Sequence, residues 1–329
     1  WLELRGDRGA ADLDLVGTWT KRRGDEYTEL PVTSSRRYWV SDEHLFKIID
    51  DKSAPSSFSG RWSVRLESSD DLAVGVFEVN EDQIASGTFL TTTGDYRYLA
   101  GRVDGELMRL STFDGAHAFL FHATMLDDGT IAGDFWSGNW HHETWTAVRD
   151  DDATLPDAFE QTTITDERAL ADAVFKDIDG TPTRVLDTLD ATNAKARVIE
   201  IFGTWCPNCA DASRELVSLK EKYGDDLGIV GLAFEVTEDF ERSSQQVQRH
   251  HAHIGSDWEI LIAGLSDKAK ATETLGLLDK VRSYPTLIFL NERNEVQAVY
   301  SGFSGPATSD AYTHQRERFE ELIERMINE

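Results

Sequence analysis

The sequence predicts two domains of different class. Residues 1–156 read as an all-β antiparallel meander, closed as a sandwich or a barrel, and residues 157–329 as an α/β domain. Three observations carry this. Asp-Gly and related turn signals separate short apolar runs from Phe58 to Asn139. A charged, proline-bearing stretch, Asp150-Asp151-Asp152-Ala153-Thr154-Leu155-Pro156, then breaks the pattern as a linker would. Beyond it, strand-like and helix-like segments alternate. A length of 329 residues suffices for two domains.

In the first domain, Gly60–Leu66 alternates apolar and polar residues. Leu72–Val79 ends at Asn80-Glu81-Asp82, and Thr88–Leu90 leads to Thr93-Gly94-Asp95. Tyr96–Val103 reaches Asp104-Gly105, and Leu107–Thr112 reaches Asp114-Gly115. Ala118–Met125 and Thr130–Trp136 complete the series. Sequential hairpins of this kind form a meander whose edges must be covered. The first 56 residues are less regular and supply further strands, for example Leu15–Lys21 and Arg37–Val40.

In the second domain, Arg197–Phe202 is a short apolar strand interrupted by Glu200. Cys209–Tyr223 has helical spacing through Ala212, Leu216 and Leu219 and stops at Gly224. Gly228–Ala233 reads as a buried strand, Phe240–Ile254 as a polar helix, Trp258–Ala263 as a strand and Asp267–Leu275 as a helix. Thr286–Leu290 and Val296–Tyr300 form a hairpin, and Thr313–Ile327 a terminal helix.

The composition excludes several partners. Sixty acidic residues against 33 basic give a net charge of −27, spread over both halves. No basic patch exists to hold a nucleic acid or an anionic membrane surface. The excess reads as a solvated, self-repelling surface; a salt-adapted source would leave the same signature. No apolar run approaches the ~18 residues of a membrane helix.

The two cysteines are neighbours in Thr204-Trp205-Cys206-Pro207-Asn208-Cys209, between the first α/β strand and its helix. A C-x-x-C pair serves either redox chemistry or half of a metal site. Placement favours redox. At a helix N-terminus the unpaired N–H groups and the dipole stabilise a thiolate at Cys206. Cys209 lies one turn on, placed to resolve a mixed disulfide. No metal is expected. The cluster Arg249-His250-His251-Ala252-His253 reads as a solvated helix face.

On these residues the second domain resembles the thioredoxin superfamily, most closely the TlpA/ResA-type thiol–disulfide oxidoreductases. Tyr284-Pro285-Thr286 stands where that fold has a cis-proline beside the sulfurs, and Glu200 stands six residues before Cys206, where thioredoxins carry a buried acid. The helix and strand between Glu238 and Ala263 match the TlpA-type insertion. The resemblance implies Cys206 as nucleophile, Cys209 as resolving thiol and Glu200 as proton relay. It further implies Trp205 as a shield at the rim and Tyr284 and Pro285 as the substrate groove. Glu235 is a candidate second acid, set against a surface loop carboxylate. Phe303, after the last strand, is a candidate substrate contact. The expected partners are protein disulfides or dithiols and an electron-donor dithiol protein, with no cofactor beyond the cysteine pair. A bacterial cell-envelope location follows, and because the sequence opens at Trp1 an upstream signal or lipid anchor is expected.

Two rivals stand beside this. The β domain, with Trp136, Trp140 and Trp145 close together, would make the protein an envelope binder of a partner or glycan with a secondary redox module. A peroxiredoxin-like peroxidase is disfavoured, since Ile199 and Gly203 replace the proline and threonine of that pattern. Pro207-Asn208 matches none of the familiar intervening pairs, so the direction of exchange is not settled by family.

Overall fold

A computed structural model describes residues 2–6, 14–23, 26–35 and 58–329. They form two compact units. One runs to Phe89 and includes Tyr96–Ala153; the other holds Leu90–Asp95 and Thr154–Glu329.

The first unit opens with a small antiparallel sheet of β1 (Leu2–Gly6), β2 (Asp14–Arg23) and β3 (Glu26–Ser35). The expected strand at Leu15–Lys21 lies within β2; the one at Arg37–Val40 lies outside the described residues. Nine strands follow: β4 (Gly60–Leu66), β5 (Leu72–Val79), β6 (Ile84–Thr91), β7 (Gly94–Asp95), β8 (Leu99–Asp104), β9 (Leu107–Phe113), β10 (Ala118–Met125), β11 (Ile131–Ser137) and β12 (His141–Arg149). Their order is β5-β4-β12-β11-β10-β9-β8-β6-β7, and β5 also pairs with β6. The sheet therefore closes as a barrel rather than a sandwich, which removes its open edges. Gly105, Gly115 and Gly129 take positive φ at the Asp-Gly turns, as a tight hairpin requires.

Aromatic rings fill the barrel interior. Phe121 stacks between Phe89 and Phe135 at 4.4 Å on each side, and Trp145 meets Phe89 edge-on at 5.2 Å. Trp145 is thus a core residue, 1% exposed. Two strands differ from expectation. β8 starts at Leu99 because Arg97, at φ +63°, interrupts the extended run from Tyr96. β12 escapes the apolar period because its inward position 143 is a glutamate, which accepts hydrogen bonds from Ser68 N and His141 Nε2, both at 2.8 Å.

The second unit contains α1 (Arg168–Ala171), β13 (Val174–Lys176), β14 (Pro182–Arg184), α2 (Val185–Ala191), β15 (Ala196–Phe202), α3 (Pro207–Tyr223), β16 (Leu227–Glu235), α4 (Phe240–Ile254), β17 (Glu259–Leu265), α5 (Lys268–Leu275), β18 (Thr286–Asn291), β19 (Val296–Ser301) and α6 (Asp310–Asn328). The sheet runs β14-β13-β17-β16-β15-β18-β19. β15, β16 and β17 are parallel, while β18 and β19 are antiparallel to their neighbours. Every residue of β15, β16 and β18 is buried, which explains their near-continuous apolar runs. The side chain of Asp239 caps α4 through Arg242 N, and Gly255 closes the helix in the left-handed conformation. No described helix is long and apolar enough to cross a membrane.

Candidate active site

The motif occupies the turn from β15, a central strand, into α3. Cys206 is the N-cap of α3 and Pro207 follows at the first helical position, where its missing N–H costs nothing. The two cysteines form a disulfide. Cys206 is 8% exposed and Cys209 fully buried, so the first sulfur is the one an incoming group reaches. Cys209 N donates to Cys206 Sγ at 3.2 Å, which places a backbone N–H against the sulfur that would carry thiolate charge.

The second wall is the segment before β18. The Tyr284–Pro285 peptide is cis, and Cys206 Sγ lies 3.4 Å from the Tyr284 carbonyl oxygen. The structure thus brings Cys206, Tyr284 and Pro285 together. Trp205 is half-buried; its Nε1 donates to Phe234 O at 2.9 Å and its ring meets Tyr284 edge-on at 5.6 Å. Gly203 makes this possible, since a Cβ there would lie 2.7 Å from Trp205 Cε2 and 2.8 Å from Phe234 O. Within the same unit, Asn208 Nδ2 donates to the Asp95 carbonyl oxygen at 3.3 Å, and Gly305 N donates to the Asp95 carboxylate at 2.6 Å. Sequence reasoning missed Asp95, which carries no local signal of this role.

Glu200 is 1% exposed, and Ser213 Oγ donates to its Oε1 at 2.7 Å. Burial pushes its carboxyl up to about 8, against the opposing pull of the Ser213 hydrogen bond. Ser213 lies four residues after Cys209, one turn further on the same helical face. The Glu200 carboxyl is therefore held on the side of α3 that carries the buried sulfur.

Glu235 is buried at the end of β16, not on a surface loop. One carboxylate oxygen accepts from Thr204 N at 2.9 Å and the other from Thr204 Oγ1 at 2.8 Å. Burial raises its carboxyl above the ordinary range. Its contacts clamp the residue two before Cys206. Replacing Glu235 with alanine should remove both acceptors of the half-buried Thr204 and lower stability by about 1 kcal/mol, whereas glutamine, which keeps one acceptor, should cost less. Chemical denaturation of the two variants checks this.

Phe303 is 2% exposed and packs 6.3 Å from the Tyr312 ring, so it sits in the core and offers no surface to a substrate. His250, expected on a solvated face, is instead half-buried on α4, with Nε2 3.3 Å from Ser213 Oγ and its ring 5.1 Å from Phe202. Burial pushes its imidazole down to about 4, with Arg214, His253 and His251 adding to the effect.

The sheet order, the disulfide at the helix N-terminus and the neighbouring cis-proline define the second unit as a thioredoxin-like domain. A scan against protein-family models finds no match, and no curated protein matches by sequence. Solved structures do match over about half of the chain. A thioredoxin-family thiol:disulfide interchange protein from Chlorobium tepidum is 16% identical, covers 47% of this chain and 92% of its own, and has a TM-score of 0.34. A secreted disulfide oxidoreductase of Mycobacterium tuberculosis is 15% identical over 45% of this chain and 96% of its own, with a TM-score of 0.32. The exposed lipoprotein thioredoxin of Streptococcus pneumoniae is 21% identical over 44% and 97%, with a TM-score of 0.28.

Proposed function

We propose that this protein is a thiol–disulfide oxidoreductase that exchanges disulfides with protein thiols through Cys206 and Cys209. The observation that carries this reading is the asymmetry of the pair: Cys206, at a helix N-terminus, keeps 8% of its surface, and its partner is fully buried one turn on. The outer sulfur attacks or is attacked, and the inner one resolves the mixed disulfide. The Tyr284 carbonyl oxygen, 3.4 Å from the Cys206 sulfur and next to the cis-proline, supports an extended polypeptide as substrate. No prosthetic group enters this reading, because the cysteine pair itself carries the two electrons, received from another dithiol protein.

The direction we favour is reduction, in the TlpA/ResA manner, in a bacterial cell envelope. The deciding measurement is the reduction potential against glutathione. A value below about −250 mV supports a reductant, and one near −120 mV would make the protein an oxidant. Reduction of insulin disulfides by the full chain, with a dithiol as electron source, tests the exchange itself. The aromatic rings stacked inside the barrel favour a filled core over a ligand-binding cup, so no separate binding function is advanced for the first unit.

A further inference from the structure

A buried carboxyl that serves as a base has to exchange its proton with water, and Glu200 has no direct access to it. It is 1% exposed in a strand buried along its whole length. Its hydrogen bond leads to Ser213, itself 1% exposed, and Ser213 Oγ lies 3.3 Å from His250 Nε2. His250 is half-buried and is the first member of this chain that reaches solvent. Three elements contribute one residue each: Glu200 from β15, Ser213 from α3 and His250 from α4.

We propose that Ser213 and His250 form the route by which the Glu200 carboxyl exchanges its proton with solvent, and that they are positioning residues of the exchange reaction. The inference rests on the reading of Cys206 and Cys209 as a redox pair. The step balances without electrons. When Glu200 is protonated, the Ser213 hydroxyl turns from the carboxylate it donates to toward the free Nε2 of a neutral His250, and the Glu200 O–H donates to Ser213 Oγ in its place. Moving each proton across one hydrogen bond leaves a Glu200 carboxylate, an intact Ser213 hydroxyl and a protonated His250. His250 then releases its Nδ1 proton to water. The carboxylate is now able to take the proton of Cys209, whose thiolate attacks Cys206 Sγ and expels the substrate sulfur as a thiolate.

The charged surroundings suit passage rather than storage. Arg214 faces His250 from α3, with Nη1 3.1 Å from Asp211 Oδ1 and Nη2 3.2 Å from His253 Nε2. His251 and His253 belong to α4 itself, and Glu200 faces it through Ser213. Burial above all, with Arg214 and the two histidines adding to it, disfavours a resident charge on His250, which keeps its lone pair available near neutral pH.

The test is single-turnover reaction of the equilibrated, reduced full chain with dithiobis-nitrobenzoate. The first thionitrobenzoate is released when Cys206 attacks the reagent, and the second when Cys209 resolves the mixed disulfide. Ser213→Ala and His250→Gln should leave the first release unchanged and slow the second about tenfold at pH 7. The deficit should vanish by pH 9, and Ser213→Thr, which keeps the hydroxyl, should restore the rate. Both variants keeping the wild-type second release from pH 6 to 9, while Glu200→Gln is slow, would overturn the route and spare the base. An unchanged Glu200→Gln would remove the base and the route with it. Absence of the first release from the wild-type chain would sink the redox reading instead. Should a variant lose the first release through misfolding, a nitrogen NMR titration of His250 decides: its midpoint should move in Glu200→Gln, and an unmoved midpoint overturns the coupling.

Discussion

Replacing Cys206 with serine should abolish insulin reduction, and replacing Cys209 with serine should leave the protein trapped on its substrate. The two outcomes differ because the two sulfurs differ in access. Cys206 is the helix N-cap and keeps 8% of its surface, so on the proposed function its sulfur is the one a substrate disulfide would meet. A serine hydroxyl at this position is not ionised near neutral pH and cannot begin exchange. Cys209 has no exposed surface and on the proposed function would enter only after the mixed disulfide has formed. With serine at 209 that species has no internal exit, and it accumulates as a covalent adduct that excess dithiol releases. Intact-mass analysis after incubation of the reduced variant with native insulin reads the adduct directly. Full activity in Cys206→Ser, or no adduct in Cys209→Ser, contradicts the assignment.

The placement of Cys206 and Cys209 is readable from sequence because local structure fixes it, whereas Glu200 and Pro285 are placed by the resemblance to thioredoxins; the structure finds the first buried and the second cis. A C-x-x-C at a strand-to-helix turn has one sulfur at the cap and one a turn deeper, whatever lies elsewhere. The strand positions of β15 and β16 are equally plain, since strands buried on both faces have to be apolar throughout. What escaped is of another kind. Ser213 and His250 are brought together by the packing of α3 on α4, across 37 residues of sequence, and neither is unusual on its own helix. The one available signal was the spacing of Ser213 from Cys209, four residues along the same face. β13 and β14 are three-residue strands with exposed ends and a half-buried centre, too short to show a period. Asp95 holds Gly305 N from more than two hundred positions away, and no local pattern announces such a contact.

Glu200→Gln should make the oxidised protein more stable at neutral pH, by an amount that itself depends on pH. In the folded state, burial pushes the Glu200 carboxyl from its ordinary 4.5 up to about 8. Below pH ~4.5 the group is protonated in both folded and unfolded chains, and it contributes no pH-dependent term. Between these values the unfolded chain has released a proton that the folded chain still holds. The unfolded state then binds fewer protons, so stability falls as pH rises, by about 1.4 kcal/mol for each pH unit. Above pH ~8 the folded carboxyl ionises as well and the loss levels off. Glutamine has nearly the same shape, keeps an oxygen for Ser213 Oγ to donate to, and does not titrate. Other titrating groups cancel when the two proteins are compared at the same pH. The stability difference between variant and wild type should therefore be flat below pH 4.5, grow by roughly 2–4 kcal/mol by pH 7, and plateau near pH 8. Urea denaturation of both proteins at matched pH values, with the disulfide intact, measures it. A difference that does not change between pH 4 and 9 would mean that Glu200 ionises in the folded state as it does in the unfolded chain, and a carboxyl of that kind would already be charged at neutral pH without any route for its proton.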